Sequence, residues 1–175
     1  MQEIKFTDHK KTKRKKRIFS MIFINVFAII FVTIVEMSNT RIEYEEDSTN
    51  GLVFLLGLYG CLIVHELLLG LFFKVFLQRS EVYFSMKRGL LYVDASGGVM
   101  SYRGYVVSSI LPFLVIVTSL VLFLYIGLLP KLTFLIISMF YVILRAKYFY
   151  WIYEVMRQPK NSKIRIMEIG FQIVK

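Results

Sequence analysis

A chain of 175 residues that is 57% hydrophobic, 19% charged and 16% aromatic, with a mean hydropathy of +0.61, lies well away from the composition of a soluble domain. Its apolar content excludes intrinsic disorder and argues against a soluble enzyme, and its single cysteine cannot build an internal disulfide scaffold. The formal net charge of +10 is then either a site for something anionic or a topology signal.

A bilayer-crossing helix needs about 20 mostly apolar residues. Residues 1–17 form a basic tail, and the first apolar run follows from Ile18 to Val35, with Asn25 its one strongly polar interior residue. A second span runs from Gly51 to Leu77, interrupted by His65, Glu66 and Lys74. A third covers 105–129, with Pro112 reading as a kink near its start, and a fourth covers 132–153. The fourth is apolar to Leu144, then meets Arg145 and Lys147 before Tyr148, Tyr150, Trp151 and Tyr153, which read as an interfacial aromatic belt. Charge at mid-bilayer costs roughly 2.5–3.5 kcal/mol on insertion scales and usually faces a protein interior. Spans two and four are therefore the functional pair. Gly51, Gly57, Gly60 and Gly70 in span two read as sites of close helix packing.

The cations gather before span one, between spans two and three, and after span four; only Arg41 and Lys131 fall in the other two loops. The positive-inside rule places both termini in the cytoplasm of a multi-pass cell-membrane protein. The loop with Glu43, Glu45, Glu46 and Asp47 is then outside. No small-residue cleavage site follows Val35, so span one reads as an uncleaved signal-anchor. The tract Lys10–Arg17 beside it is an orientation signal that attracts anionic lipid, and nucleic acid is not an expected partner.

Between spans two and three, residues 78–104 alternate apolar and polar around turns at Arg88-Gly89 and Ser96-Gly97-Gly98, which predicts a short β-hairpin or meander at the inner membrane surface. The tail, 157–175, turns at Pro159 and carries two β-like pieces, 163–166 and 170–174, that either pair with the hairpin loop or stay mobile. The expected fold is an α-helical integral membrane protein of about four transmembrane helices (a membrane domain over 18–156) with a small cytoplasmic β-hairpin element.

The one constellation with chemistry is His65-Glu66 in span two. A zincin motif sets two histidines at i and i+4 on one helical face to bind Zn²⁺, and the glutamate after the first is the general base. The second position here is Leu69, which has no donor atom. Cys61, four residues before His65, shares its face and with a third ligand such as Glu154 could complete a substitute site; the plainer reading is a small residue packed between helices. His9 reads as solvated.

His65-Glu66, the following Gly70-Leu71-Phe72-Phe73-Lys74, the third span's Ser108-Ser109-Ile110-Leu111-Pro112-Phe113 and the tail's Pro159-Lys160-Asn161 before Gly170-Phe171 together resemble the putative zincin peptidases. These are small bacterial membrane proteins similar in layout to site-2-type intramembrane metalloproteases. The resemblance covers roughly 51–175. It implies a metal bound by the motif and by an Asp of the fourth span, Glu66 as general base, and a substrate paired in extended form to a sheet edge. The position of that Asp falls at Ala146-Lys147, so of the implied ligands only His65 remains.

At about 1.5 Å rise per residue, His65 and Lys147 each lie roughly 21–23 Å along their helices. Glu66 can then pair with Lys147 or with Arg145 in place of a metal. The expected function is that of a catalytically degenerate, metalloprotease-like protein that needs no cofactor and binds or regulates a membrane protein or peptide. One alternative is an active zinc intramembrane metalloprotease with rearranged ligands. Another is a small transporter or channel subunit with Glu66, Arg145 and Lys147 along its pathway, which the lack of an internal repeat disfavours.

Overall fold

The computed structural model describes residues 4–5, 10–38, 51–77, 82–87, 89–160, 162–166 and 171–174. Four helices carry the chain: α1 (Lys10–Met37), α2 (Gly51–Phe76), α3 (Tyr102–Tyr125) and α4 (Lys131–Met156). All four are long and apolar enough to cross a membrane. The acidic stretch 43–47, Arg41, Arg79, Arg88 and His9 lie outside the described residues.

Helix α1 begins at Lys10 rather than Ile18. Lys and Arg are good helix formers, so the basic tract becomes the helix's own first turns. Helix α3 starts where Ser101, in extended conformation, accepts a hydrogen bond from the Gly104 N–H on its Oγ at 3.0 Å. Ser101→Ala should cost about 0.5–2 kcal/mol, the usual loss for an N-cap hydroxyl, read as a lowered unfolding midpoint.

Helix α4 is the centre of the bundle: 44% of its most apolar stretch is buried, against 11% for α1. Phe23, Phe27 and Phe31 recur at four-residue spacing on α1 and therefore share one face. They meet Phe113 of α3 and Phe149 and Phe134 of α4, with Phe23 and Phe149 stacked at 4.4 Å between ring centroids. The outward faces stay apolar, as at Ile29 (67% exposed) and Val75 (69%). Large apolar side chains turned outward along four long helices suit an apolar surrounding, and a multi-pass membrane protein is the class these helices define.

Four of the strands gather where α1 and α3 begin and α2 and α4 end. Strands β1 (Ile4–Lys5), β4 (Val99–Ser101), β5 (Lys163–Ile166) and β6 (Phe171–Val174) form one antiparallel sheet in the order β1-β6-β5-β4. The tail therefore pairs with β4, the last strand of the 78–104 loop, as one of the two expectations had it, and also with the N-terminal strand. No sequence signal marked β1, which is two residues long.

Strands β2 (Tyr83–Lys87) and β3 (Leu90–Asp94) form a separate hairpin, turned at Gly89, whose φ of +76° suits glycine. The hairpin runs lengthwise along α2 instead of lying across the bundle end as a surface hairpin would. Phe84 and Val93 sit against Gly70, and the Gly89 carbonyl accepts a hydrogen bond from the Tyr59 hydroxyl. From Gly70 to Tyr59 the helix rises about 16 Å, and from Phe84 to Gly89 an extended strand covers about the same. The hairpin thus lies beside the middle of α2, from Gly70 back to Tyr59.

Two further expectations change. Tyr150 and Trp151 are buried beneath the sheet with Val155 and Ile164, so only Tyr148 and Tyr153 are left exposed for an aromatic belt. Trp151 lies under the Lys16 ammonium of α1, 4.9 Å from ring centre to Nζ. Of the glycines in α2, Gly57 faces Ile137 of α4, Gly70 faces the hairpin, and Gly60 has no neighbour within 4 Å of an added Cβ.

Candidate functional site

Helix α2 buries His65 and Glu66 side by side. Neighbours on a helix point about 100° apart, and the two side chains accordingly find different partners on α4. His65 Nδ1 lies 2.6 Å from the Tyr141 hydroxyl. Tyr141 is fully buried and stacks on Phe113 of α3, with ring centroids 5.6 Å apart. The imidazole is thereby oriented by α4, which is itself braced by α3.

Glu66 is held through both oxygens. Oε1 accepts from Arg145 Nη1 at 2.8 Å, and Oε2 accepts from the backbone N–H of Val93 in β3 at 3.2 Å. Both charged side chains are about nine-tenths buried. One carboxylate thus ties α2, α4 and the hairpin together. Arg145 Nε is buried without an acceptor.

The structure brings Glu66 together with Arg145 and not with Lys147. Lys147 is exposed, with its ammonium 4.9 Å from the centre of the Tyr148 ring. Depth along the helix is similar for both cations, but direction around the helix separates them. Residues 141 and 145 are four apart and share a face, while 147 is turned away by about 200°. Tyr141 and the Val93 N–H were not singled out from the sequence. The first was within reach: a His–Glu pair facing a helix with Arg145 invites a look four residues back. The second required knowing that the hairpin runs along α2.

A cavity of about 150 Å³ opens beside the pair, between α2, α3, α4 and the end of β3. His65, Glu66, Arg145, Ser109 and Asp94 supply polar wall, and Leu69, Phe73 and Trp151 supply apolar wall. Cys61, a free thiol one turn from His65, packs against the apolar core.

A polytopic helical bundle with a buried His–Glu step beside a β-edge is the class that this fold and site define. The profile of the family described as "Putative zincin peptidase" matches residues 58–163, and the chain belongs to that family. No curated protein and no solved structure matches the chain.

The family's description implies zinc, and the residues here do not fit it. His65 offers its remaining ring nitrogen, but Leu69, partly buried against Phe73 and Val93, offers no donor. Glu66 is committed to Arg145 and Val93. Among the described residues no three His, Cys, Asp or Glu side chains come together as a metal site. A guanidinium beside the motif also disfavours a divalent cation by like charge.

Proposed function

We propose that this protein is a non-catalytic member of its family that binds or regulates a membrane protein or peptide. It would sit in the cell membrane with both termini in the cytoplasm, as the distribution of cations favours. The observation that carries the reading is the Glu66 carboxylate. The family's general base stands beside a metal-bound water, whereas here the carboxylate faces the Arg145 guanidinium and is fixed on its other oxygen by the Val93 N–H. The same contacts keep the hairpin against α2, beside a cavity with mixed polar and apolar walls. That arrangement suits holding an extended segment by its backbone and side chains without cutting it.

Metal analysis tests this directly. Purified protein should contain zinc far below one equivalent, and His65→Ala should not change the content. Near-stoichiometric zinc that disappears in His65→Ala would overturn the proposal and establish the active metalloprotease in its place.

A further inference from the structure

On the other side of the Glu66–Arg145 pair lies a second opening, a groove of about 210 Å³ between α2, α4 and β3. Its walls include Leu62 and Ile63 of α2, Leu90 of β3 and Leu144 of α4, with Arg145 and Lys147 as its cations. Glu66, the carboxylate on this groove, is already paired with Arg145. Lys147 has no carboxylate partner among the described residues and contacts the Tyr148 ring. The groove therefore carries one excess positive charge and aliphatic walls.

These features together select one ligand chemistry. A soluble anion would use the cations but gain nothing from the leucines. A neutral lipid would use the leucines and leave the cations unanswered. We propose that the groove seats an anionic phospholipid, its phosphate on Lys147 and Arg145 and an acyl chain along Leu62, Ile63 and Leu144. Basic pockets between spanning helices are suited to lipid headgroups. Depth agrees: Lys147 is about 13 Å from the end of α4 at Met156, and its flexible stem lets the ammonium reach toward that end. Val64, Leu67 and Ile143 are 44–48% exposed nearby, so the adjoining helix faces are already apolar. The proposal rests on the helices spanning a membrane and not on the absence of catalysis, so the zinc measurement and this one can fail separately.

The test is thermal unfolding of the full chain in neutral detergent with added phosphatidylglycerol, phosphatidylcholine or inorganic phosphate. Phosphatidylglycerol should raise the midpoint, and the other two should not. Lys147→Gln should lose most of that rise and Lys147→Arg should keep it. Lys131→Gln, an equal loss of charge at the opposite end of α4, should also keep it. An equal rise with phosphatidylcholine, or a full rise in Lys147→Gln, overturns the site. A rise reproduced by inorganic phosphate assigns the cations to a soluble anion, and no rise with phosphatidylglycerol leaves the groove to a peptide; either result overturns the lipid.

Discussion

Arg145→Ala should destabilise the protein by about 3–5 kcal/mol, the cost of leaving a buried charge without its partner. Glu66→Ala should cost a similar amount, with a further loss from the Val93 N–H that Glu66 now accepts. The double change should be milder than the sum, because it leaves no orphaned charge. Replacing the pair with Leu and Met can even be neutral, since a buried ion pair often contributes little net stability. Lys147→Ala should stay within about 0.5 kcal/mol, as for an exposed side chain. Unfolding midpoints and folded yields in detergent give all five values. Strictly additive losses, or a Lys147→Ala effect as large as that of Arg145→Ala, would show that Arg145 is not the partner.

Gly70→Leu should loosen the hairpin by about 1–3 kcal/mol, the usual range for overpacking a filled site. A Cβ placed on Gly70 comes 2.4 Å from Phe84 Cζ and 3.3 Å from Val93 Cγ2. Gly70→Ala is the gentler control, because the half-exposed Phe84 ring can swing aside. A leucine has no such outlet, since Val93 on β3 is buried and fixed by Glu66. Hydrogen exchange at the amides of Leu90–Asp94 should rise in Gly70→Leu and stay near wild type in Gly70→Ala. Unchanged exchange in the leucine variant would mean that the hairpin is not seated on this glycine.

The helices were legible because a spanning segment announces itself in length and hydropathy, which need no knowledge of neighbours. Their ends were less so. The start of α1 was hidden by a basic tract that composition assigns to solvent, although Lys and Arg extend a helix readily. The hairpin was visible in its alternation and its Arg88-Gly89 turn, but alternation says which residues share a face and not what that face meets. Its seat on α2 depends on Gly70 and on the reach of Tyr59, both contacts across separate elements. The same limit governs the site. His65 and Glu66 stood out as a motif, and equal depth suggested Arg145 or Lys147 opposite. Only the rotation of α4 decides which of the two faces the carboxylate, and in a helix apolar nearly all round no amphipathic pattern reveals that rotation. Tyr150 and Trp151 illustrate it again, as aromatic residues near a helix end that serve the interior instead of the interface.

The order in which the elements meet has a consequence for how the protein is made. Helix α1 rests its aromatic face on α4, and β1 pairs with β6, so the first-made elements find their partners among the last. During synthesis Phe23 and Phe27 can meet Phe113 once α3 is made, but Phe23 and Phe31 lack their α4 partners, Phe149 and Phe134, until the last helix follows. Glu66 likewise enters the membrane before Arg145 exists to receive it. Assembly is therefore completed late, and a chain stalled before α4 would present an unpaired acid and phenylalanines short of their α4 partners to whatever quality control surveys the membrane.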